Sequence, residues 1–184
     1  MKSRDIAIIG VLLGVGAILR FFLAMLHTPL TPNMVIAFYC LAIILVQPKI
    51  HEALGIGLVA GILSMLISSS IFPPANLISE PIGALVCLGV FSALKRLPKV
   101  APTVTTFIAT LASGFSFAII AFVAVAANIF AKYGSVNGFV VAFVPIVVIT
   151  AIFNAVVVEF LYIPSNRVLQ REQLPAPEGA AKGM

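Results

Sequence analysis

Charge is scarce in this chain: only 9% of its 184 residues are Asp, Glu, Lys or Arg, whereas 61% are hydrophobic. A soluble domain carries about 25% charged residues, so a water-soluble fold is excluded, and the apolar runs leave no room for a second, soluble domain. Cysteine and histidine are nearly absent, with two of each. Cys40 and Cys87 fall near the middle of apolar runs, where a thiol behaves as a small apolar side chain, and His27 and His51 sit at opposite ends of runs. Neither a disulfide framework nor a metal-ligand spacing is present. Catalytic signatures are missing as well. No nucleophile stands beside a base, Ser113-Gly114 has Leu111 where a hydrolase elbow needs glycine, and there is no Walker motif or cofactor fingerprint. An enzyme is therefore a poor reading, and no metal or cofactor is expected.

What the chain does have is six apolar stretches. A helix rises about 1.5 Å per residue, so roughly 20 apolar residues cross a hydrocarbon core about 30 Å thick, and backbone groups in lipid must be satisfied within each segment. Helices are predicted near 6–26, 33–47, 53–71, 77–94, 103–131 and 138–163. The second is short and needs shelter from neighbours or continuation by Gln47 and Lys49, while the fifth is long enough to tilt or project into water. The fold class is all-α: a polytopic six-helix transmembrane bundle over residues 1–163, with a polar tail, 164–184, expected to be disordered.

Prolines end the helices and basic residues mark one side. Lys2, Arg4, Lys49, Lys95, Arg96, Lys99, Arg167, Arg171 and Lys182 share one face, while the opposite connectors offer Lys132. The positive-inside rule makes that face, with both termini, cytoplasmic. This asymmetry accounts for the net charge of +5 without a nucleic-acid partner. Lys2 and Arg4 before an apolar run resemble a signal peptide, but Arg20 and five further spans follow, so the segment is expected to remain as the first helix.

Ionisable side chains inside membrane helices are costly and mark candidate sites. Arg20 lies about 14 residues into helix one, roughly 21 Å from its start, and Glu80 lies one turn inside the start of helix four at similar depth. They either neutralise each other or present opposite charges to a ligand bearing an ammonium and a carboxylate. Glu159 falls near the basic end, two turns before Arg167, where snorkelling or local pairing is expected. Asn33, Tyr39, Asn76, Ser79, Asn128, Tyr133 and Asn137 gather at the other end among Phe38, Phe72, Phe130 and Phe139, a mixture suited to an amphipathic aromatic ligand. Asn33 and Asn76 also read as N-caps of helices two and four. Thr103, Thr106, Thr110 and Ser113 form a stripe at helical spacing on helix five that reads chiefly as close helix packing. Gly10-x-x-x-Gly14 gives helix one a smooth face, and Gly57, Gly61 and Ser64 do the same for helix three. Asn154 needs a partner across the bundle that the sequence does not name.

Pro32-Asn33-Met34 opening an apolar helix, then Gly57-Leu58-Val59-Ala60-Gly61-Ile62, Asn76-Leu77-Ile78-Ser79-Glu80-Pro81 and Gly89-Val90-Phe91, resemble the tryptophan-transporter family, which belongs to the S components of energy-coupling factor (ECF) transporters. The likeness is closest over about residues 32 to 95 and extends to Tyr162-Ile163-Pro164. It implies a multi-pass protein of a prokaryotic cell membrane that catches tryptophan or a related aromatic compound at its outer side. It also implies docking on a transmembrane coupling subunit driven by two ATPases. Gly10 and Gly14 stand where S components carry the Ala-x-x-x-Ala docking motif, and the connector from His27 to Pro32 corresponds to the loop that lids the ligand. The resemblance puts an Asp after the proline of helix two and a Lys before the proline of helix four, where this chain has Asn33 and Glu80. Arg20, Asn33, Tyr39, Asn76, Glu80 and Asn128 are the expected substrate-binding residues, with Glu80 receiving an ammonium and Arg20 a carboxylate.

Two other readings stand beside this one: an S component for another vitamin-like ligand, and a self-sufficient oligomeric secondary transporter or channel. Carriers of the second kind often use broken helices and paired repeats. The third and sixth helices have no internal proline except Pro145, near an end, and the two halves show no convincing repeat.

Overall fold

A computed structural model describes residues 1–25 and 32–171. Six α-helices follow in order: α1 (Ser3–Met25), α2 (Met34–Val46), α3 (Ile50–Ile67), α4 (Asn76–Leu94), α5 (Ala101–Tyr133) and α6 (Val136–Arg171), with a 3-10 turn at Pro73–Ala75 leading into α4. All but α2 are long and apolar enough to cross a membrane, and among the described residues no strand occurs. The all-α bundle expected from composition is what forms.

α2 occupies the middle. Its 13 residues reach roughly 20 Å, short of a hydrocarbon core about 30 Å thick. It is not prolonged by Gln47 and Lys49: Gln47 takes a left-handed conformation (φ 49°) and its N–H donates to the Ile43 carbonyl at 2.8 Å, closing the helix before Pro48. Shelter solves the mismatch instead. Every residue from Met34 to Ile44 is buried, with α1, α4, α5 and α6 packed around it. The longer helices turn large apolar side chains outward, as Val11, Ile18 and Phe22 do on α1 and Val141 and Phe160 on α6, which suits contact with lipid.

α5 and α6 are longer than a crossing needs. α5 runs 33 residues with non-helical geometry at Val125 (φ −135°, ψ 40°). It ends where Gly134, at φ 75°, donates its N–H to the Phe130 carbonyl at 2.8 Å, a positive-φ helix stop that suits glycine. α6 continues through Pro164 to Arg171, eight residues past the expected end at 163. A proline deletes one ladder donor, and here the helix resumes beyond it. Residues 172–184, the rest of the expected tail, lie outside the described residues, as do 26–31, which hold most of the expected lid.

The close approach of α3 to α4 depends on two glycines. A Cβ on Gly61 would stand 2.7 Å from the Asn76 carbonyl oxygen, and one on Gly57 would stand 2.6 Å from the Pro81 Cα. Backbone atoms cannot step aside as side chains do, so the glycine row fixes where the first turns of α4 lie. On α1, by contrast, a Cβ at Gly10 or Gly14 would meet nothing within 4 Å. Gly61→Ala should therefore destabilise the protein by about 1–3 kcal/mol through overpacking, whereas Gly14→Ala should leave stability unchanged or slightly raised. Thermal unfolding of the purified variants in detergent checks this; equal midpoints for Gly61→Ala and the parent would refute the close contact.

Candidate ligand site

The two intramembrane charges meet in one cavity. Arg20 projects from α1 and Glu80 from the second turn of α4, and both line a space of about 120 Å³, the volume of about four water molecules in the liquid. They are near enough to feel each other's field, yet among the described residues they form no ion pair. Arg20 Nη1 is buried without a hydrogen-bond partner. Glu80, only 1% exposed, is held from both sides: Asn33 Nδ2 donates to Oε1 at 2.5 Å and Ser113 Oγ donates to Oε2 at 2.9 Å. Each carboxylate oxygen has a second lone-pair site, so Glu80 can accept further donors while remaining oriented.

These positions follow from the local sequence. Asn33 lies immediately before α2 and brings its side chain to Glu80 as that helix begins. Ser113 stands on the α5 face that also carries Thr106, Thr110 and Phe117, spaced three or four residues apart. Thr106 and Thr110 donate to the carbonyls one turn back, Pro102 at 2.9 Å and Thr106 at 2.8 Å, which satisfies their hydroxyl protons within the helix. The packing expected of this stripe is therefore only part of its role, because Thr110 and Ser113 also line the cavity. Behind them, a Cβ on Gly83 would stand 2.9 Å from the Ser113 Cβ and would collide with the Tyr39 hydroxyl, so glycine is what lets α4 bring Glu80 against α5.

Part of the cavity wall is aromatic. Phe117 and Phe143 stack with ring centroids 6.1 Å apart and planes 5° from parallel, and both face the cavity. From Phe143 the rings continue to Phe139, at 5.3 Å, and Tyr133, at 5.5 Å, along the α5–α6 hairpin. Thr150 and Val147 complete the α6 side. A guanidinium nitrogen without a hydrogen-bond partner among the described residues, an oriented carboxylate and flat apolar rings thus border one volume.

Of the six residues expected to bind substrate, Arg20, Asn33, Asn76 and Glu80 line the cavity. Tyr39 sits behind it, fully buried with its hydroxyl beside Glu80 and Ser113. Asn128 is exposed on α5 beyond Val125 and is not among the lining residues. The capping roles expected of Asn33 and Asn76 are not adopted: Asn33 flanks α2 without a side-chain cap and spends its amide on Glu80, while Asn76 is already helical and donates to the Pro73 carbonyl at 2.7 Å. Phe38 packs against Gly16. Glu159 accepts a hydrogen bond from Thr103, a neighbour on α5 rather than the expected Arg167. Ser113, Thr150, Phe117 and Phe143 were not singled out as site residues. The available signal was depth, since their heights on α5 and α6 match those of Arg20 and Glu80. No metal-binding cluster occurs among the described residues.

Comparison with known proteins identifies the family. Residues 2–170 match the family model described as tryptophan transporter TrpP. The chain is also 27% identical over 175 residues to a "probable tryptophan transport protein" of Bacillus subtilis (strain 168), covering 93% of this chain and 95% of the relative. No solved structure gives a significant match. With a family match spanning nearly its full length, the chain belongs to the tryptophan transporter family, and it is a multi-pass transport protein of a prokaryotic cell membrane.

Proposed function

We propose that this protein is the substrate-capturing subunit of an ATP-driven importer and that tryptophan is its ligand. The carboxylate pairs with Arg20, the ammonium with Glu80, and the indole lies along Phe117 and Phe143. The observation that carries this reading is the buried, unpartnered Nη1 of Arg20 in the same cavity as Glu80. A buried guanidinium nitrogen without a partner is expensive, and a ligand carboxylate meets its need with charge-assisted hydrogen bonds. The family match and the aromatic wall favour an amino acid with a large ring. The basic end is then cytoplasmic and the cavity faces outward.

Energy comes from elsewhere in this reading, since the chain has no nucleotide motif. Docking on an ECF coupling subunit with two ATPases falls to α1, whose Gly10 and Gly14 lie open among exposed Ile6, Val11 and Ile18. Small residues let another helix approach closely at low cost, and an apolar surround suits such a partner within the membrane.

Calorimetric titration of the purified protein should find tryptophan binding, and Arg20→Ala and Glu80→Gln should each weaken it by about 10- to 100-fold, the worth of a hydrogen bond to a charged group. Unchanged affinity in both folded variants would sink the assignment. Replacing Gly10 and Gly14 by Leu should leave tryptophan affinity intact while abolishing ATP-driven uptake in proteoliposomes that also contain the coupling subunit and ATPases. Ion-driven uptake by this chain alone would favour the self-sufficient carrier instead.

A further inference from the structure

Asn154 lies on α6 one turn beyond Thr150, fully buried and behind the cavity wall rather than in it. Its Nδ2 donates to the main-chain carbonyl of Asn33 at 3.2 Å and to Thr110 Oγ1 at 3.4 Å. The first acceptor settles the orientation of the amide, because a carbonyl can only accept. The Thr110 hydroxyl has given its own proton to the Thr106 carbonyl, so its lone pair is open to Asn154.

The other end of the amide is unusual: Asn154 Oδ1 is buried without a hydrogen-bond partner. An apolar side chain of the same volume would fill the space and avoid that desolvation cost. Packing alone therefore does not explain an asparagine here. What it does is add a second donor to the Asn33 carbonyl, which also accepts the Ile36 N–H at 3.2 Å in the first turn of α2, and so ties that residue across the bundle to α6, while Asn33 in turn orients Glu80. The chain of contacts runs from α6 through the Asn33 backbone to its amide and on to the carboxylate.

We propose that Asn154 is a positioning residue that sets the selectivity of the cavity for ligands bearing an ammonium group, by fixing Asn33 and through it the direction of the Glu80 carboxylate. The proposal rests on Glu80 as the ammonium receptor. It separates two ligands that share a ring and a carboxylate: tryptophan, which has the ammonium, and indole-3-propionate, which lacks it.

Titration of both compounds into Asn154→Leu tests it. Tryptophan affinity should fall about tenfold while that for indole-3-propionate stays within about twofold, and in the Glu80→Gln background the same substitution should cost nothing further. Asn154→Ala, which removes the amide without adding branched carbon, carries the same expectation if the leucine variant does not fold. Equal losses for the two ligands, no loss for tryptophan, or a loss that adds to that of Glu80→Gln would overturn the role of Asn154 alone. Parental tryptophan affinity in Glu80→Gln by itself would bring down the ammonium contact, and this proposal with it.

Discussion

A carboxylate inside an apolar bundle is the constraint around which this molecule is organised. Glu80 cannot be solvated by lipid, and leaving it unpaired would cost several kcal/mol. Its neighbours come from separate elements: Asn33 at the start of α2, Ser113 on α5, and the field of Arg20 on α1. Each of those helices has to sit where its donor or charge can reach the one acid, so an electrostatic requirement becomes a geometric one. The small residues complete it, with Gly57 and Gly61 seating α4 against α3 and Gly83 seating it against α5. Breaking a buried polar cluster at one member leaves the others unpaired, which gives the cluster its hold on the fold.

The same arrangement leaves a residual imbalance. Glu80 is served twice by neutral donors and Arg20 Nη1 by none. Had the two met directly, the pair would have closed on itself and offered little to a guest. Holding the acid with neutral donors keeps the Arg20 Nη1 available. Bonds that stabilise the bundle and groups that remain open to a ligand are thus different atoms of the same cluster.

Much of this could be read from the residues. Length and hydropathy located six helices because crossing a membrane demands long uninterrupted apolar runs, and burial cost singled out Arg20 and Glu80. Four features resisted. The central place of α2 was hidden because a uniformly apolar helix has no polar face to orient it. Asn33 and Asn76 looked like caps because capping is local and legible, whereas the pull of Glu80 on Asn33 crosses 47 positions of chain. Pro164 looked like a terminus, though a proline removes only one bond and the ladder resumed beyond it. The aromatic wall lay among many similar phenylalanines, and only matching the depths of two antiparallel helices would have selected Phe117 and Phe143.

The brevity of α2 bears on how the protein is made. A 13-residue segment is too short to bridge the bilayer on its own, and the helices that shelter it include α4, α5 and α6, all synthesised after it. Its final seat cannot exist while the ribosome is still translating the second half of the chain. The seat of α2 is therefore completed late, and the cavity, whose wall includes Asn33 and Ile36 at the start of that helix, is finished only when the last helix arrives.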